Sequence, residues 1–413
     1  MSLENLALPR LEVMPNGVPL YRLEGTDKGV VRLDILFKGG YAVQSKPLLA
    51  MFTNRMLREG TAALSAAEIS QKLDYYGAWI DMYSSQNSNH ITLYTMSKHL
   101  APLLGVLEDM IKHPLFPQEN LDTVRRNNRS YFTVNSQKVD VVSQRYFENS
   151  LWGEEHPLGH VVEAADYDAV TRDDIQEYYN SYYGSRNCTM FIAGSVDDAM
   201  LAAIGNSFGN EAWGCDNECG ESELALPCPQ VGRRTVTVPG TMQSAVKMGF
   251  MAMDSSHPDF NGFRFLCVLL GGYFGSRLMS NIREENGYTY HIAAEMDAYG
   301  ERNAFMISSE TATEYVEPLI QEVYKELDRL VAEPPSESEI ELVRNYIMGE
   351  LCREYEGQSA KSEVFINAWL SGVGFDSVNR YINDIKNVTP ASLHRLASEY
   401  FRKENMIEIV VGC

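Results

Sequence analysis

The sequence lacks any apolar run of the roughly 18–20 residues needed to cross a bilayer, so a membrane span is excluded. Positive charge is scarce: 35 Lys and Arg stand against 56 Asp and Glu, a net charge of -21. Such a surface repels phosphate backbones and excludes a nucleic-acid partner, while it suits cationic peptides. The 7 cysteines are odd in number and scattered, as expected of reduced thiols rather than a disulfide framework. Cys215, Cys219 and Cys228 gather in CDNECGESELALPC, without the paired spacing or neighbouring histidine of a metal knuckle. That acidic stretch reads as a flexible linker. The opening MSLENLALPRLEV has neither the basic nor the apolar part of a secretory leader. It points to the cytoplasm, with the periplasm as the alternative for a chain whose leader was removed. Histidine is also sparse, and His156 and His160 in HPLGH are separated by Pro157 and Gly159, which oppose a helix that could align them.

What is present is length and a repeated plan. At 413 residues, 45% of them apolar, the chain suits two domains with separate cores. A polar, aperiodic tract at 213–232 serves as the linker between an N-terminal domain at 1–212 and a C-terminal domain at 233–413. VTRDDIQEYYNSYYGSRNCTMFIAG and VTPASLHRLASEYFRKENMIEIVVG align without a gap, pairing Thr171 with Thr389, Tyr182 with Tyr400 and Gly194 with Gly412. Each copy reads as a Thr-capped helix followed by an apolar strand. VVRLDILFKGG alternates as a strand, Ser65 and Glu68 form a capping box for a helix ending at Gly77, and AWIDMYSSQNSNHITLYTM reads as a hairpin. The fold class is α+β: two homologous domains, each an antiparallel-rich mixed sheet packed with helices.

One segment has the outline of a metal site without its ligands. Inverted zinc peptidases carry H-x-x-E-H, two ligands one helical turn apart with a general base between them. Here residues 51–55 read Met51-Phe52-Thr53-Asn54-Arg55. A thioether, an amide and a permanent cation replace ligand, base and ligand, and Arg55 would repel Zn²⁺. As an amphipathic helix over 47–59, the segment buries Leu49, Phe52 and Met56 and turns Asn54, Arg55 and Arg58 outward.

In the second half, GSRLMSNIREENGYTYHI reads as a short helix with Ser276 as N-cap, Leu278 and Ile282 inward, and Gly287 as its stop. Tyr288, Tyr290 and Ile292 then alternate onto one strand face. The glycines upstream lack phosphate-loop spacing.

Together these segments resemble the insulinase/pitrilysin-type zinc metallopeptidases. Leu49, Ala50, Phe52, Met56, Leu57, Gly60 and Thr61 match the frame of that family's zinc motif, and Trp152-Gly153 with His156-Pro157-Leu158-Gly159 matches a structural segment. The third ligand, a Glu, would fall at Ser130-Tyr131-Phe132, where no carboxylate stands. Ser276, Arg277, Leu278, Ile282, Arg283, Glu284, Gly287 and Tyr290 match the family's second signature, whose Arg and Tyr reach the substrate opposite the zinc. The resemblance implies half of a clam-shell, similar to a processing-peptidase subunit. It implies catalytic support and substrate binding by Arg283 and Tyr290, no metal or other cofactor in this chain, and zinc in a homologous partner subunit that shares a peptide substrate. The alternative is a peptide-binding or scaffold protein of the same fold that has lost catalysis.

Overall fold

The computed structural model describes residues 6–25, 29–215 and 226–412. The first half supplies strands β1 Arg10–Val13, β2 Pro19–Glu24, β3 Val30–Lys38, β4 Trp79–Ser84, β5 Ser88–Met96 and β6 Cys188–Gly194. Its helices are α1 Leu49–Met56, α2 Ala66–Tyr76, α3 Leu100–Lys112, α4 Gln118–Asn135, α5 Val139–Trp152, α6 Ala164–Ala169, α7 Arg172–Tyr182 and α8 Asp198–Ile204. The second half supplies β7 Gly232–Thr237, β8 Gln243–Met251, β9 Thr289–Tyr299, β10 Arg302–Ala312 and β11 Ile407–Gly412. With them come α9 Phe260–Gly271, α10 Val316–Ala332, α11 Glu337–Glu354, α12 Gln358–Leu370, α13 Asp376–Lys386 and α14 Pro390–Tyr400.

Local chemistry explains many of the element ends. Ser65 caps α2 in a full capping box with Glu68, and Gly77 closes the helix in the left-handed region. Thr171 and Thr389 cap α7 and α14, the two helices of the repeated terminal unit. The strands then form two sheets, ordered β1-β2-β6-β3-β5-β4 and β7-β11-β8-β10-β9. Without β1, the first order maps strand for strand onto the second. In both, the terminal strand of the half inserts beside the central one, parallel to one neighbour and antiparallel to the other.

The halves are interlocked. On one face, the first sheet packs on α1, α3 and α7, and the second on α9, α10 and α14. The opposite faces are covered by exchange: α5 of the first half lies across β8 and β11, and α12 of the second lies across β6 and β2. Phe147, Leu151 and Trp152 of α5 are buried with Ala245, Met306 and Ile409 of the second sheet. This exchange explains a departure from simple alternation in β3, which is buried on both faces. Leu33, Ile35 and Phe37 face the first core, while Arg32 and Asp34 are buried on the side covered by α12. Asp34 accepts two bonds from Arg32 Nε at 3.0 and 2.9 Å and one from Thr92 Oγ1 at 2.8 Å, and Arg32 donates to the Ser359 carbonyl of α12.

The intervening tract is anchored at both described ends. Cys215 is buried, with its N–H on the Tyr183 carbonyl, and Cys228 donates to the Trp152 carbonyl. Flexibility expected across the whole tract therefore does not extend to these ends; β7 already begins at Gly232. Cys219 lies outside the described residues. Among those residues, no helix is long and apolar enough to cross a membrane.

Candidate functional site

Helix α1 carries the displaced zinc pattern. Met51 is half-buried against the first core, Arg55 is exposed, and Asn54 is 1% exposed. The outward placement expected of Asn54 is thus corrected. Its amide donates to the carbonyls of Tyr83 at 2.8 Å and His90 at 3.0 Å, and its oxygen accepts from the Tyr183 hydroxyl at 3.2 Å. The amide stitches α1 to the β4–β5 hairpin, satisfying carbonyls that burial would otherwise leave unpaired. His90 stacks on Tyr83 at 4.2 Å, and burial pushes its imidazole down to about 4, which keeps it neutral. Ser88 Oγ lies 2.7 Å from its Nε2.

These groups do not fit zinc. The inward amide is committed to backbone carbonyls, and the cation at Arg55 sits where a ligand would be required. On α4, Tyr131 is 71% exposed, and Phe132 is buried beneath the Arg145 guanidinium. His156 and His160 are used structurally. His156 stacks on Trp152 at 4.5 Å and accepts the Leu158 N–H, whereas His160 reaches Asp166 at 2.9 Å. Among the described residues, no three His, Cys, Asp or Glu side chains converge in a metal-holding group.

Arg283 and Tyr290 stand on the second sheet's margin. After α9, residues Met279–Glu285 form a wide π turn, with Asn286 and Tyr288 N–H groups reaching back to Asn281 and Ile282 carbonyls. Gly287, at φ +69°, ends it in a conformation that favours glycine. Leu278 and Ile282 are fully buried, as the sequence predicts. Ser276 does not cap with its side chain: its carbonyl accepts the Ser280 N–H, while its buried Oγ has no partner.

The expected alternation of Tyr288, Tyr290 and Ile292 also fails, for a physical reason. Ile292 pairs with Ser309 and Thr289 with Thr311, so β9 carries one extra residue opposite Glu310. This β-bulge turns Tyr290 outward to 88% exposure while Ile292 is fully buried. Thr289 Oγ1 donates to the Glu310 carbonyl at 2.6 Å, and Ser309 Oγ donates to the His291 carbonyl at 2.9 Å, holding the bulge open.

Arg283 and Tyr290 line one open cleft of about 520 Å³ with Tyr288, Glu310 and Tyr315. The Arg283 guanidinium stacks over the exposed Phe274 ring at 4.5 Å. Neither Arg283 nor Tyr290 has a hydrogen-bond or ion-pair partner among the described residues. Two donor groups are therefore presented together and left free.

Residues 41–158 match the family profile described as insulinase (peptidase family M16), and residues 169–347 match the one described as peptidase M16 inactive domain. The chain belongs to the insulinase, or M16 peptidase, family. Similar proteins include the uncharacterized zinc protease YmxG of Bacillus subtilis, 21% identical, with 88% of each chain covered. An uncharacterized zinc protease of Rickettsia bellii is also 21% identical, over 96% of this chain and 95% of that one. The M16 fold is repeated in a peptidase M16 inactive domain from Pseudomonas fluorescens, with TM-score 0.85, 19% identity and 98% of each chain covered. A protease from Helicobacter pylori gives TM-score 0.86 at 17% identity, covering 98% of this chain and all of that one. Within this M16 chain, sequence reasoning missed Phe274 and Tyr315 as neighbours of the candidate pair. Phe274 sits in the glycine-rich GGYFGSR stretch, whose stacking on Arg283 depends on the π turn that follows.

Proposed function

We propose that this chain is the non-zinc subunit of a two-chain M16 peptidase acting on peptides or small unfolded proteins. A homologous partner supplies zinc, water and the general base. This chain supplies Arg283 and Tyr290, which donate to the substrate carbonyl and to the oxyanion it becomes. The observation that carries the reading is the bulge at Tyr290: it lifts a phenol out of the sheet beside an unpaired guanidinium. The replaced positions 51, 54 and 55 support it, because the donor set of this chain does not suit a metal.

Mixing the purified chain with a zinc-bearing homologue from the same organism should generate peptidase activity that neither shows alone. Arg283→Ala and Tyr290→Phe should each lower kcat/KM at least tenfold, on the order of 1.4 kcal/mol or more of transition-state stabilisation. Unchanged rates in both variants would remove the assigned roles. Peptide binding with no activity in any pairing would support the scaffold reading instead.

A further inference from the structure

A cavity of about 570 Å³ is walled by residues of α9, α11, α12 and α13 and, on the sheet side, by Met296 of β9. It shares no lining residue with the cleft of Arg283 and Tyr290. Phe260, Leu351, Val364 and Val378 make much of its wall apolar. Such a size and lining suit a small molecule whose apolar body is oriented by a few polar groups.

Three helices bring donors to this cavity. Arg264 stands on α9, Tyr355 follows the last residue of α11, and Tyr381 stands on α13. The half-buried Arg264 guanidinium lies 3.9 Å from the Tyr381 ring centroid and 5.7 Å from that of Phe260. Tyr355 and Tyr381 are only 3% and 7% exposed. Among the described residues, neither these phenols nor the guanidinium has a hydrogen-bond or ion-pair partner. Burial pushes the Tyr355 phenol up to about 12, Glu354 adds to the rise and Arg264 opposes it, so the hydroxyl keeps its proton at neutral pH. Buried donors without an acceptor are costly, and here a cation and two phenols lack one together. The carboxylates on the same wall are otherwise engaged or exposed: Asp384 accepts from Asn261 at 2.7 Å, Glu363 reaches Arg32 at 3.4 Å, and Glu354 faces solvent. Their negative field opposes a doubly charged phosphate, whereas one guanidinium fork balances one carboxylate.

We propose that this cavity is an effector site for a free, small monocarboxylic acid with an apolar chain. The carboxylate sits in the fork of Arg264, already ordered by ring stacking, and accepts from the Tyr355 and Tyr381 hydroxyls. The chain packs along Leu351, Val364 and Val378. Ala360, Val364 and Ala368 of α12 line the same cavity, and α12 is the helix exchanged onto the first sheet. A ligand held there ties α12 to α9 and α13 and stabilises the interlock of the two halves by mass action. The site is independent of the proposed function, since no part of the Arg283 and Tyr290 cleft belongs to it.

Isothermal titration calorimetry of the full chain tests this with sodium octanoate, octanamide and octyl phosphate. At about pH 8 these are a monoanion, a neutral isostere and a dianion on one chain length. Octanoate should bind one to one, about tenfold or more tighter than octanamide and tighter than octyl phosphate. Arg264→Gln should abolish the preference for the acid over the amide, and Arg264→Lys should keep part of it, with unchanged circular dichroism. Tyr355→Phe and Tyr381→Phe should each weaken octanoate about threefold or more while leaving octanamide within about twofold. In the unaltered chain, octanoate should raise Tm and slow amide exchange within 351–368 and 378–384, read by deuterium-exchange mass spectrometry. The proposal is overturned if octanoate does not bind, or if octanamide or octyl phosphate binds as tightly. It is equally overturned if Arg264→Gln keeps the preference, if both phenylalanine variants bind octanoate like the parent, or if the slowed exchange falls only outside those segments.

Discussion

Asn54 shows how a single position can be rededicated. In a zinc helix this residue would be a carboxylate base; here its amide serves two buried carbonyls and one phenol. Asn54→Ala leaves those groups unpaired and should cost about 2–3 kcal/mol, read as a lower denaturant midpoint. Asn54→Asp should be at least as harmful, because a buried carboxylate would face two carbonyl oxygens without a donor. A variant Asn54→Asp as stable as the parent would contradict this account. None of this was legible locally. Read by itself, the helix places Asn54 beside Arg55 on a polar face; only the return of the β4–β5 hairpin and the end of α7 encloses it.

At the scale of elements, legibility divides by the distance of the information. The capping boxes at Ser65 and Thr171, the stop at Gly77 and the β4–β5 hairpin are written within a few residues, and the structure contains each of them. The bulge is not written in β9 alone, since an extra residue exists only relative to β10. Arg283 and Tyr290 could be singled out through the family resemblance, but their shared cleft depends on the π turn and the bulge together. Thr289 and Ser309 are the groups that maintain the bulge. Thr289→Val should cost about 1–2 kcal/mol and accelerate amide exchange around Tyr290 and Glu310, by deuterium-exchange mass spectrometry. If the exchange is confined to other segments, the hydroxyl is not what holds Tyr290 out.

At the scale of the whole molecule, the seam between α5 and the second sheet gathers a cluster of buried charge. Glu148 on α5 accepts from Gln144 at 3.0 Å and faces Tyr299, Asp297 and Lys247. Burial raises the Glu148 and Asp297 carboxyls above their ordinary values, and burial lowers Lys247. A carboxyl raised in the folded state contributes stability below its unfolded value, near 4.3, and loses it as pH rises through the folded value. Thermal stability should therefore decline from about pH 4 upward through that raised range, and Glu148→Gln should flatten the decline and raise Tm at pH 8. A parallel pH profile in the variant would show that Glu148 is not responsible.

The exchange of α5 and α12 also sets a timetable for synthesis. The first sheet is complete when Gly194 leaves the ribosome, but the helix that covers its other face begins only at Gln358. At about 5–20 residues per second, those roughly 160 residues take on the order of 8–30 s. During that interval Leu23, Leu36 and Phe191, which end in the second core, have no cover. The nascent chain should consequently be a chaperone client until α12 emerges, and truncation just before α12 should yield aggregation rather than a stable first half.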